Sequence, residues 1–146
     1  LRPRRWDSRG LVRFMLFLGP VSSLYDLATF AVMYFVFSAS TPERQALFQS
    51  GWFVASMFTQ ILVIQVLRTD RKPFLESRAS LPVLLAAAGA VAVAAVTPFT
   101  DLGRSLGLTG LPGGYWPLLL VIVTAYVLHA HSVKWAYRQR FGGEWL

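Results

Sequence analysis

Asp26 is the acidic side chain around which any chemistry in this 146-residue chain has to be built. It sits inside the apolar run Phe14–Phe37, with Ser22, Ser23 and Thr29 close by in sequence. Carboxylate and neutral oxygens are what a hard cation such as Mg²⁺ prefers, often with some waters retained. Gln60, in a second apolar run, adds an amide oxygen. One carboxylate is too few for a complete dication site. Asp26, Ser22, Ser23, Thr29 and Gln60 are therefore read as an ion pathway or polar core, with Asp26 the candidate metal contact. A structural role stays equally open, in which Asp26 is protonated or pairs with a basic or hydroxyl group to fix a bundle. His129 and His131 are two residues apart and face away from each other on a helix, so a His-X-His metal pair would need extended backbone.

The remaining chemistry is defined by what the chain lacks. There is no Ser/His/Asp arrangement, no HExxH and no second carboxylate in an apolar run. The glycines of residues 100–114 follow no strand and precede no Gly-Lys-Ser/Thr, so they form no phosphate cradle. The chain has no cysteine, which removes disulfides, thiolate metal sites and thiol catalysis. Its net charge of +7 comes from basic residues flanking apolar runs, a distribution that argues against nucleic acid as a partner.

These side chains have to be positioned by long apolar elements. At 55% hydrophobic residues and a mean hydropathy of +0.50, the chain carries more apolar content than a soluble domain of its length can hide. An all-helical membrane protein is expected, with four spans near 14–37, 47–67, 81–99 and 115–135. The first, as a helix, would be roughly 36 Å long and would hold Asp26 near mid-membrane. A carboxylate there costs roughly 2.5–3.5 kcal/mol on insertion scales, so that face should look into a bundle. The run also exceeds the roughly 7–15 apolar residues of a signal peptide, despite the basic lead-in. Gly19-Pro20 is expected to break the helix before Asp26, because Pro20 offers no N–H to the carbonyl of Leu16.

In the second span, Gln49, Ser56 and Gln60 share a face while Gln65 points elsewhere; such groups usually make interhelical hydrogen bonds. Thr41, followed by Pro42, is the expected cap of that helix. The third span repeats small residues at Ala86, Ala90 and Ala94 beside Gly89, spacing that lets helix backbones approach closely. Tyr115, Trp116, Trp135 and Tyr137 mark the membrane interfaces of the fourth, with Trp52 doing the same on the second.

Basic segments 1–13, 68–80 and 136–146 alternate with two loops in which Glu43 opposes Arg44 and Asp101 opposes Arg104. The positive-inside rule then puts both ends in the cytoplasm. Arg2, Arg4, Arg5, Arg9 and Arg13 are expected to rest on anionic lipid headgroups. The first residue is Leu1 and not Met, which is expected of a fragment, a cut domain or a processed product.

The residues also carry a family resemblance. Arg13-Phe14-Met15, then Gly19-Pro20, Ser22-Ser23, Asp26 and Thr29-Phe30-Ala31, resemble the seventh membrane segment of the magnesium-importing P-type ATPases. Gln45-Ala46-Leu47-Phe48-Gln49-Ser50-Gly51-Trp52-Phe53 is similar to the start of their eighth segment and is the most specific match. Leu67-Arg68-Thr69, Pro73-Phe74 and Ser77-Arg78-Ala79 resemble the following loop. Leu81-Pro82-Val83-Leu84-Leu85 and Pro98-Phe99 bound the ninth segment, and Arg140-Phe141-Gly142 resembles the tail.

The resemblance implies the last four helices of a pump in the bacterial inner membrane, a multi-pass protein that imports Mg²⁺. ATP would be used only in domains this chain lacks, through an aspartyl-phosphate. The phosphorylated Asp-Lys-Thr-Gly motif is absent, so the chain alone would not hydrolyse ATP. Its implied partners are the other membrane helices and the cytoplasmic domains of the same pump. In many relatives a Glu follows the Trp-Phe of the eighth segment, where this chain has Ala55. The rival reading is a free-standing four-helix membrane scaffold without transport activity.

Overall fold

The structure, a computed structural model, describes residues 8–68 and 81–141. Among them there is no strand. Four helices are long and apolar enough to cross a membrane, with candidate spans Met15–Val36, Pro42–Gln65, Leu81–Phe99 and Tyr115–Tyr137.

Helix α1 covers Ser8–Ala31 and passes into a π-helical turn at Val32–Val36. The expected break at Gly19-Pro20 is not where α geometry ends, because α1 continues through Pro20. Membrane helices tolerate such a proline when the freed carbonyl finds another arrangement. The wide turn ends with Phe37 N–H donating to the Val32 carbonyl at 3.3 Å, and Ala39 N–H donates to the Met33 carbonyl at 3.0 Å. A short 3₁₀ turn, Pro42–Arg44, then starts the helix α2, Gln45–Arg68. Pro42 opens this turn as expected, but the Thr41 side chain makes no capping hydrogen bond.

Helix α3, Leu81–Val96, packs on α2. The close approach expected along its small-residue repeat is reached at Ala94, which is buried; Ala86 and Gly89 are exposed. A 3₁₀ turn at Thr97–Phe99 leads to a short helix, α4, at Asp101–Ser105. Thr100 caps α4 by accepting from the Gly103 N–H at 3.1 Å. Gly103 is required there, since a Cβ would run into the Thr97 carbonyl oxygen. Asp101 pairs with Arg104 at 3.0 Å, as the loop charges imply.

Helix α5, Tyr115–Phe141, packs against both α1 and α2. Its buried stripe runs Tyr115, Leu119, Ile122, Tyr126, Ala130, Lys134 and Tyr137, a three-to-four spacing that presents one face to the bundle. Lys134 is buried within this stripe.

The end of α1 and the starts of α2 and α5 meet in one apolar core of Met33, Ala39, Val54, Ala55, Leu111, Tyr115 and Leu119. Tyr115 therefore turns inward: its hydroxyl donates to the Gly51 carbonyl at 2.5 Å. Next to it, Thr109 N–H donates to Ser50 Oγ at 2.7 Å. Gly51 lets Met33 lie directly over the helix backbone, because a Cβ there would collide with the Met33 sulfur. The α1–α2 hairpin and the start of α5, which is distant in sequence, are thus fastened together at one end of the bundle.

Candidate functional site

Asp26 lies half-buried at the α1/α2 seam. Ser56, midway along α2, donates its hydroxyl to Asp26 Oδ1 at 3.0 Å. A hydrogen bond from a neighbouring helix offsets part of the cost of placing a polar group in an apolar surround.

One turn earlier on α1, Ser22 Oγ and the Tyr126 hydroxyl of α5 share a hydrogen bond at 3.1 Å. Tyr126 is buried, and Tyr25 packs edge-on against it with ring centroids 5.3 Å apart. Tyr25 also meets the His129 ring at 5.9 Å. One turn beyond Asp26, Phe30 stacks with Phe48 at 5.3 Å and Trp52 at 5.7 Å. A polar band therefore crosses α5, α1 and α2 at the level of Asp26, with aromatic rings beside it.

The other expected members divide. Thr29 is buried, but its hydroxyl donates back to the Tyr25 carbonyl at 2.9 Å, so its proton stays on its own helix. Ser23 is exposed and donates to the Gly19 carbonyl at 3.4 Å. Gln60 is exposed, whereas Gln65 is buried at 7% exposure. Gly19 and Pro20 are exposed on α1. Arg2, Arg4 and Arg5 lie outside the described residues, as do the side chains of Arg9 and Arg13. Buried His131 Nδ1 has no hydrogen-bond partner among the described residues. Ala55 is buried in the apolar core and supplies packing at that position.

Ser56 and Tyr126 are missing from the site read in the sequence. A signal existed for both: Ser56 shares the Gln49/Gln60 face of its span, and Tyr126 is a hydroxyl at mid-span. Which helix each would face depends on packing, which periodicity does not encode.

Chemically, the band offers one carboxylate and three hydroxyl groups, joined in two interhelical hydrogen bonds. Mg²⁺ demands near-octahedral oxygen coordination, commonly completed by waters. Among the described residues, no three His, Asp or Glu side chains come together to hold a metal ion. By itself the band is therefore an incomplete set of oxygen ligands.

The fold and site together define a four-span helical bundle with one hydrogen-bonded carboxylate at the α1/α2 seam. Residues 2–136 match the family described as cation transporting ATPase, C-terminus, and the chain belongs to that family. Among curated relatives, a magnesium-transporting ATPase, P-type 1, of Salmonella typhimurium strain LT2 is 47% identical over 141 residues. That match covers 97% of this chain and 16% of the relative. The protein of the same description from Escherichia coli K12 is 43% identical over the same shares. The chain thus spans about 16% of the length of these relatives. The match supports the membrane segment of a P-type ATPase over a free-standing scaffold. With four candidate spans and bacterial relatives, it is a multi-pass protein of the inner membrane.

Proposed function

We propose that this chain is the C-terminal membrane bundle of an ATP-driven Mg²⁺ importer. The observation that carries this reading is the 47% identity, sustained over 97% of the chain, to a magnesium-transporting ATPase. ATP binding and phosphoryl transfer belong to the cytoplasmic domains of the same polypeptide, and Mg²⁺ is its cargo. The bundle supports the transport helices and lines part of the pathway through Asp26, with Ser22 beside it and Gln60 further along the exposed face of α2. The bond from Ser56 to Asp26 supports this, since the carboxylate is held and yet half-exposed. Hard-cation chemistry needs more oxygens than the band supplies, and helices outside this chain complete it.

The basic segments put both ends in the cytoplasm, with the connections at 37–46 and 97–114 on the other side. Arg2, Arg4, Arg5, Arg9 and Arg13 contact anionic lipids of the cytoplasmic leaflet.

The test is complementation. The full-length gene is expressed in a bacterium that lacks Mg²⁺ uptake and grows only at high Mg²⁺. Growth at low Mg²⁺ is expected with the intact gene and is expected to fail with Asp26→Asn, at equal membrane levels. Failure of the intact gene to restore growth contradicts the importer. Full growth with Asp26→Asn contradicts the role of Asp26.

A further inference from the structure

Most hydroxyls of the spans follow a default from which two depart, Ser22, which pairs with Tyr126, and Ser56. Ser23, Thr29, Ser50, Thr59, Thr97 and Ser132 each donate to the carbonyl four residues back in their own helix. That is the ordinary resting place of a hydroxyl on a helix in an apolar surround. Ser56 has the same option in the Trp52 carbonyl and does not use it. It donates instead across the seam to Asp26 Oδ1, at 3.0 Å. Its own carbonyl is taken by the Thr59 hydroxyl at 3.0 Å, which couples the Ser56 turn of α2 to a buried neighbour.

We propose that Ser56 is the positioning residue of Asp26. It holds one carboxylate oxygen at the α1/α2 seam and leaves Oδ2 for a cation brought by the rest of the pump. Oδ2 has no hydrogen bond among the described residues. The inference rests on the reading of Asp26 as part of the pathway. Ser56 touches neither ATP nor the reacting phosphate, so its effect is on Mg²⁺ affinity and not on turnover. The backbone of Asp26 does not depend on Ser56, because α1 is held separately by the Ser22–Tyr126 bond and by Phe30 against Phe48 and Trp52. Removing the Ser56 hydroxyl therefore frees the carboxylate rotamer while leaving the helix in place.

The experiment measures Mg²⁺-dependent ATPase activity of the full-length pump in membranes, with Ser56→Ala, Ser56→Thr, Ser56→Cys and Asp26→Asn. Ser56→Ala is expected to raise the half-saturating Mg²⁺ concentration about three- to tenfold, the range for losing one interhelical hydrogen bond within a membrane. The maximal rate should stay within about twofold, as positioning of a ground-state contact requires. Ser56→Thr keeps the donor and should restore the wild-type Mg²⁺ dependence. Ser56→Cys keeps the size with a weak donor, and should shift affinity like Ser56→Ala; it replaces that variant if Ser56→Ala fails to reach the membrane. Wild-type affinity in Ser56→Ala and Ser56→Cys, with Asp26→Asn impaired, overturns the role of Ser56 alone. A lower maximal rate without an affinity shift, unrescued by threonine, overturns it in favour of packing. Unchanged Mg²⁺ dependence in Asp26→Asn overturns the reading of Asp26 and the inference with it.

Discussion

Asp26 shows why residue type and surroundings have to be argued together. An intramembrane carboxylate is legible in the sequence at once, because nothing else in the apolar interior carries a charge of that sign. Its partner is not legible, because Ser56 lies 30 positions away and is one of several hydroxyls with similar surroundings. Thr29 illustrates the reverse error: spacing puts it beside Asp26, yet a hydroxyl on a helix can satisfy itself locally, and Thr29 does. At this scale the packing of Gly51 under Met33 gives a sharp prediction. Gly51→Ala should lower the thermal stability of the detergent-solubilised full-length protein by about 1–2 kcal/mol through overpacking. In a Met33→Ala background the added cost of Gly51→Ala should shrink, since the clash is with that one flexible side chain. A double variant less stable than the sum of its singles contradicts the contact.

At the scale of elements, four long helices were legible because apolar runs near 20 residues have few soluble alternatives. Local geometry was less so. Pro20 is a valid helix breaker in water, but in a membrane the helix has no better-solvated conformation to break into, and α1 continues through it. The departure comes instead at Val32–Val36, where Met33 is drawn over Gly51 and no proline marks the place. The short helix α4 was hidden in a glycine-rich loop, although Thr100-Asp101 is a reasonable start signal. Caps give a paired prediction here. Thr100→Ala should destabilise by about 1 kcal/mol, because its hydroxyl oxygen accepts from Gly103. Thr41→Ala should cost less than about 0.5 kcal/mol, because its side chain caps nothing. Both are read by thermal unfolding of the full-length protein, and an equal loss at the two sites contradicts the assignment.

For the whole molecule, the bundle is fastened at the end where α1, α2 and α5 meet, while many large apolar side chains remain exposed. In the proposed pump lipid would cover such surface, and the half-exposed Asp26 and exposed Gln60 would face its other helices. The reading frame upstream of Leu1 should accordingly encode an Asp-Lys-Thr-Gly motif several hundred residues earlier; a start codon adjoining Leu1 contradicts the pump. Topology has its own test, made clean by the absence of cysteine from this segment. In an otherwise cysteine-free pump, Ser40→Cys should react with a membrane-impermeant thiol reagent added to intact cells, and Arg140→Cys only after the membrane is opened. The opposite pattern inverts the bundle. The most direct measurement of the central claim is Mg²⁺ uptake by the purified full-length protein in vesicles, driven by ATP and followed with a Mg²⁺-sensitive dye. Uptake that requires ATP and falls at least tenfold in Asp26→Asn is the predicted result. ATP-driven uptake that is absent from the wild-type protein, or undiminished in Asp26→Asn, contradicts it.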